Sequence, residues 1–185
     1  MEKILIVVGS LRKNSFNLRL AREAAKMLEG EAEVAFLDYA ALPMVNQDIE
    51  FPTPAEVARV RGEVAKADGI WMFTPEYNYS YPGHLKNLID WLSRPLKQGD
   101  FSGNTAIAGK KVCLSGVGGK AATAKCREKL ADLLTFVRAD VMDEPQVGIA
   151  LGMDSFVSDA FELDEEQKAQ LKAQAEAFLG FIRKG

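Results

Sequence analysis

Lys3-Ile4-Leu5-Ile6-Val7-Val8, followed at once by Gly9-Ser10, decides the fold. An unbroken aliphatic run of this length predicts a strand buried on both faces, the mark of a parallel sheet with helices on either side. The pattern then switches to a helical period, with Leu18, Ala21, Ala25 and Leu28 on one face. Glu33 to Leu37 reads as a second strand. Ala55 to Ala67 reads as a second helix, with Pro52 and Pro54 just before it, where proline is tolerated. Gly69 to Phe73 is a third strand, and Leu85, Leu88, Ile89 and Leu92 mark the helix after it. Lys97 to Gly109 is polar and glycine-containing, an excursion rather than a linker. Lys111 to Ser115 gives a fourth strand, and Cys126, Leu130, Leu133, Leu134 and Val137 the stripe of another helix. The fifth strand falls near Ala139 to Met142 or around Gln146 to Ala150, and a last helix starts near Asp164. Five strands alternating with helices make an α/β domain with helices on both faces of a parallel sheet. In such sheets ligands bind beyond the carboxyl ends of the strands, so the loops after strands one, three and four are the ones to inspect.

The chain has 185 residues, 48% hydrophobic and 26% charged, which suits one globular domain spanning residues 1–185 and argues against disorder. Its formal charge of −3 gives no global attraction to nucleic acid or anionic membrane. The run Ile4 to Val8 is too short for a signal-peptide core, and no stretch approaches bilayer length. Cys113 and Cys126 lack Cys-x-x-Cys spacing and read as buried thiols of a reducing cytoplasm. A soluble, cytoplasmic protein is expected.

The first loop reads Gly9-Ser10-Leu11-Arg12-Lys13-Asn14-Ser15-Phe16-Asn17. A helix N-terminus offers free N–H groups and partial positive charge, and here two hydroxyls, an amide and a guanidinium join it. That set suits a phosphate monoester, although Ser15 also reads as a plain helix cap and Arg12 as a solvated charge. No Gly-Lys-Ser/Thr follows, which excludes a triphosphate P-loop, and an acidic pair needed for a phosphoacceptor receiver is absent. The third loop, Thr74-Pro75-Glu76-Tyr77-Asn78-Tyr79-Ser80-Tyr81-Pro82-Gly83, is stiff and aromatic and could hold a flat heteroaromatic ring; its alternative role is a rigid turn over the sheet edge.

Together, Gly9-Ser10-x-Arg12-x-x-Ser15-x-Asn17 and Thr74-Pro75-Glu76-Tyr77-Asn78 through Leu85-Lys86-Asn87-x-Ile89-Asp90-Trp91-x-Ser93-Arg94 resemble the NADPH-dependent FMN reductase family, which includes bacterial quinone and chromate reductases. The resemblance implies a flavodoxin-like three-layer sandwich with strand order 2-1-3-4-5. It implies an FMN phosphate held by Ser10, Arg12, Ser15 and Asn17, with Leu18 beside them, and a flavin ring lined by Pro75, Glu76, Tyr77 and Asn78. NADPH or NADH would be the co-substrate, and quinones, chromate, azo compounds or free flavin the acceptors, in a ping-pong cycle. Members usually form homodimers or homotetramers, and a helix face of Asn87, Trp91 and Arg94 could meet such a partner.

In the fourth loop, Ser115, Gly116 and Gly118 are expected along the flavin edge, with glycine permitting close backbone approach. Gly116-x-Gly118-x-x-Ala121 formally matches a dinucleotide fingerprint, but that motif belongs on the first strand of its unit. Relatives often place the glycine pair later, near Ala121 to Ala124. His84, the sole histidine, permits no histidine-based triad or His-rich metal site and is expected to be solvated at a helix start. No catalytic side chain and no metal ligand is nominated. The rival reading is a flavodoxin-type electron carrier without enzymatic turnover, against which Arg12 speaks.

Overall fold

The computed structural model describes residues 1–184. The chain runs β1 (Glu2–Val8), α1 (Phe16–Met27), β2 (Ala32–Phe36), a 3-10 turn (Gln47–Ile49), α2 (Ala55–Lys66), β3 (Gly69–Phe73), α3 (Gly83–Leu92) and β4 (Lys111–Gly118). It continues through α4 (Ala124–Phe136), β5 (Asp140–Val141), β6 (Val147–Ala150), α5 (Met153–Ser158) and α6 (Glu165–Arg183). The strands are parallel in the order β2-β1-β3-β4-β5, with β6 also paired to β4.

Alternation along the strands sorts the core into two layers, because successive side chains point to opposite faces. Leu5, Val7, Ile70, Met72, Val112 and Leu114 pack under α2, α3 and α4, with Val60, Val64, Leu88 and Leu134. Ile4, Ile6, Trp71, Phe73 and Cys113 face α1 and α6, with Leu20, Leu28, Phe178 and Leu179. Each of the three central strands is therefore buried on both sides, as its unbroken aliphatic run requires.

The fifth strand is two strands. β5 pairs with Lys111 and Val112, and β6 with Ser115 through Gly118. Between them lies Asp143-Glu144-Pro145, where proline has no N–H for the ladder. Buried Gln174 of α6 fills the break: its Nε2 donates to Leu114 O at 2.8 Å, and its Oε1 accepts from Val147 N at 3.2 Å. A side-chain amide thus pairs two backbone groups that a continuous strand would have paired.

Asn87 and Trp91 of α3 do not face outward. Both donate to Pro43 O, at 2.9 and 2.7 Å, and Asn87 Oδ1 accepts from Val45 N at 2.8 Å. Arg94 forks onto the buried carboxylate of Glu50 at 2.9 and 2.8 Å. This second face of α3, expected to meet a partner, instead fastens the chain's own segment 43–50. His84 also departs from expectation. It stacks on Tyr39, with ring centroids 5.8 Å apart, and its Nε2 is buried with no hydrogen-bond partner among the described residues. Burial pushes its pKa down. Both cysteines are free and buried, and burial raises their thiols, Cys126 to about 11. Among the described residues no helix is long and apolar enough to cross a membrane.

Candidate functional site

The carboxyl ends of β1, β3 and β4 meet at one edge of the sheet. Gly9 N donates to Phe73 O at 2.7 Å and Thr74 N to Ser115 O at 2.9 Å, so the three loops leave the sheet already tied together. They enclose an open cavity of about 280 Å³. Ser10, Arg12, Ser15 and Asn17 form one wall, Pro75, Glu76 and Tyr77 a second, and Val117, Gly118 and Gly119 the floor. Phe16, Phe156 and Asp159 complete it. Larger concavities of about 440 and 640 Å³ lie against α1 and α6 and at the amino ends of the strands, away from where a doubly wound sheet binds ligands.

Ser15 caps α1, its Oγ accepting from Asn17 N at 3.2 Å. Ser10 Oγ accepts from Arg12 N at 3.4 Å and keeps its hydroxyl proton for a ligand. A helix start leaves N–H groups without intrahelical acceptors, and here they border the cavity with Arg12 beside them. Asn17 is buried and clamps β4: its Oδ1 accepts from Val117 N at 2.8 Å and its Nδ2 donates to Val117 O at 3.0 Å.

The loop after β3 closes as a tight hairpin, Tyr77 and Ser80 exchanging backbone bonds at 2.9 and 3.0 Å. Its central residues Asn78 and Tyr79 are left-handed, φ 52° and 56°, the two positive φ values of a type I′ turn. Asn78 is therefore the exposed tip of a turn and stands outside the cavity lining. Glu76 reaches across to α4, its Oε2 accepting from Cys126 N at 2.9 Å. That bond substitutes for a missing cap. Thr123, the α4 N-cap, is left-handed at φ 60° and makes no side-chain cap bond. The loops after β3 and β4 are thus fastened through a single carboxylate.

Three other expected site residues lie beside the cavity rather than on it. Leu18 is half-buried on the next part of α1. Ser115 is fully buried, accepting from Trp71 Nε1 at 2.9 Å and donating to Gln174 Oε1 at 2.7 Å. Gly116 is buried too, and a Cβ there would meet Thr123 Oγ1 at 2.2 Å and Thr74 O at 2.4 Å. Its lack of a side chain serves packing between β4 and the Thr123 turn. Ser10, Arg12, Ser15, Asn17, Pro75, Glu76, Tyr77 and Gly118 are brought together. Phe156 and Asp159 were not legible as site residues, since α5 carries no stripe strong enough to predict a helix.

Arg12 is the cation of the cavity lining, beside the carboxylates of Glu76 and Asp159, and it is already paired with one of them. Asp159 Oδ1 lies 3.0 Å from Arg12 Nη1. The pair shows that the Arg12 guanidinium is placed at the cavity wall where it can meet an oxyanion. Phe16, Val117, Phe156 and Tyr77 add apolar wall for the rest of a ligand that carries one.

Comparison with known proteins identifies the family. A profile of the family described as NADPH-dependent FMN reductase matches residues 2–154. A 2-hydroxy-1,4-benzoquinone reductase of a Burkholderia species is 33% identical over 183 residues, covering 98% of this chain and 96% of that protein. Among solved structures, the flavoenzyme NAD(P)H:(acceptor) oxidoreductase FerB from Paracoccus denitrificans superposes with a TM-score of 0.87 at 31% identity, covering 100% of this chain and 98% of that one. An oxidised flavodoxin from Bacillus cereus shares the fold alone, with a TM-score of 0.62 at 16% identity over 97% of this chain and 98% of that one.

Proposed function

The chain belongs to the NADPH-dependent FMN reductase family, and from that premise we propose that it is an NAD(P)H-dependent quinone reductase working through bound FMN. The observation that carries this reading is the single cavity that joins an arginine-bearing anion cradle to the aromatic loop after β3. Bound FMN would supply hydride acceptance from a reduced nicotinamide and electron delivery to the acceptor. The protein's part is position and charge. Ser10, Ser15 and Arg12 would hold the phosphate at the start of α1, while Pro75 and Tyr77 would flank the ring. At the end of β4, Val117 N–H is engaged by Asn17 and Gly118 is paired with Ala150 of β6, which leaves Gly119 to face negative charge developing on the ring edge.

The same open face serves donor and acceptor in turn, which gives ping-pong kinetics and requires no protein nucleophile. Quinones are the favoured acceptors; chromate, azo compounds and free flavin fit the same exposed site by chemistry alone. The test is the visible spectrum of the FMN-reconstituted protein before and after anaerobic NADPH. Bleaching that reverses on adding a quinone supports the reading. Bound flavin that NADPH cannot reduce would instead mark an electron carrier, and no retained flavin would refute it.

Arg12→Ala tests the phosphate assignment separately. Loss of a charge-assisted contact should weaken FMN binding by about 1.5–3 kcal/mol. Riboflavin, which lacks the phosphate, should bind both proteins alike. Equal FMN affinity in both would remove Arg12 from the cradle.

A further inference from the structure

Asp159 follows α5 at φ 53°, a left-handed position that aspartate and asparagine tolerate better than most residues. Its carboxylate bridges two arginines, Oδ1 3.0 Å from Arg12 Nη1 and Oδ2 2.7 Å from Arg19 Nη2. Its backbone carbonyl also accepts from Arg19 Nη1 at 2.6 Å. Both guanidinium groups lie over the Phe16 ring, 5.0 and 5.2 Å from its centroid. Phe156 of α5 meets the same ring edge-on at 5.6 Å. The α5 segment therefore rests on the first turn of α1, with its anion placed on the cation at the cavity wall.

From this geometry we infer that Asp159 is an internal occupant of the anion cradle, exchanged for the cofactor phosphate when FMN binds. The inference rests on the cofactor reading above and deepens it. Arg12 is the shared group: it is half-exposed, and Asp159 Oδ1 is its only ion-pair partner among the described residues. Arg19 bonds both the carboxylate and the carbonyl of Asp159, so it can keep α5 docked after Arg12 turns to the phosphate. A phosphate monoester carries about −1.5 to −2 charges at neutral pH, and a carboxylate left beside it repels it. Asp159 consequently lowers affinity for phosphorylated flavin and leaves unphosphorylated flavin alone. It makes the cofactor exchangeable.

The experiment uses the full chain stripped of flavin, wild type and Asp159→Asn, titrated with FMN and with riboflavin by fluorescence quenching at low and high salt. Asparagine keeps the left-handed backbone and an acceptor for Arg19 while removing the charge. Thermal melts of both proteins confirm that α5 remains packed. The expected result is FMN binding about threefold to tenfold tighter in Asp159→Asn at low salt, shrinking at high salt, since partly exposed pairs are weak and screened. Riboflavin affinity should not move. Weaker FMN binding would mean that Asp159 positions Arg12 rather than competing for it, and would overturn the inference. An equal gain for both flavins would overturn it too, as α5 would then be only a steric cover. Unchanged FMN affinity refutes the exchange while the cofactor reading stands, and a wild-type protein that binds no FMN refutes both.

Discussion

Asn17→Ala is expected to lower folding stability by about 2–6 kcal/mol, because it strands two buried backbone groups that each cost about 1–3 kcal/mol unpaired. The sequence places Asn17 among phosphate donors, and it does border the cavity. Its carboxamide, however, is fully engaged by Val117, accepting from the N–H at 2.8 Å and donating to the carbonyl at 3.0 Å. Asn17 is only 3% exposed and Val117 2%, so the paired groups are shielded from solvent in the folded chain. The clamp joins residues 100 apart in the chain, fixing the start of α1 against the end of β4. Urea unfolding of the flavin-free protein should show a lower midpoint at an unchanged slope. Asn17→Asp should keep the Val117 N–H bond but set a second oxygen against the Val117 carbonyl. It should therefore be less damaging in acid, where the protonated carboxyl can donate. Wild-type stability in Asn17→Ala would show that Val117 is satisfied by other means.

That clamp marks the limit of what the sequence discloses. Apolar runs expose β1, β3 and β4, because burial on both faces leaves no room for polar residues. They do not show that Asp140–Val141 and Val147–Ala150 share one partner strand. Either segment alone looks like a fifth strand, and the amide that joins them comes from Gln174, far along the chain on α6. The second face of α3 failed for a related reason. Asn87, Trp91 and Arg94 read as a helix face that could meet a partner, and their acceptors lie in segment 43–50, which has no periodicity to read. Ordered polar contacts at long range leave no local signal.

The candidate site was legible where chemistry is written in residue type. Arg12 with two hydroxyls, and a proline- and tyrosine-rich loop, point to one cavity and do line it. Asp159 was hidden because a single aspartate after a weakly patterned segment looks like any solvated charge. Ser115 reads as a residue of the flavin edge because it ends the expected fourth strand on the correct side of the sheet. Its side chain instead takes the inward direction, toward Trp71 and Gln174. Period-two alternation decides that direction, and one residue along β4 reverses it.

The glycines of the fourth loop carry the second large effect. Sequence reasoning gives them one role, close approach of a ligand, and the structure divides them. Gly119 has open space where a Cβ would be added, and its φ is not left-handed. Gly116 has none: its Cβ would lie 2.2 Å from Thr123 Oγ1 and 2.4 Å from Thr74 O. Thr123 cannot easily give way. It and Ala122 are held left-handed at φ 60° and 46°, a conformation that costs an L-residue about 1–2 kcal/mol. Thr74 cannot move either, since it is fully buried and its N–H is bonded to Ser115 O at 2.9 Å. Gly116→Ala should therefore cost about 3 kcal/mol, the upper end of ordinary overpacking. At about 2–4 °C per kcal/mol for a chain of this size, the melting temperature should fall by about 6–12 °C. Thr123→Ala in the same chain should restore only part of the loss, because the Thr74 carbonyl remains. Gly119→Ala should leave the melting temperature within about 2 °C of wild type. If Gly116→Ala melted like wild type while losing FMN, the glycine would serve the ligand after all, and the packing account of this loop would be wrong.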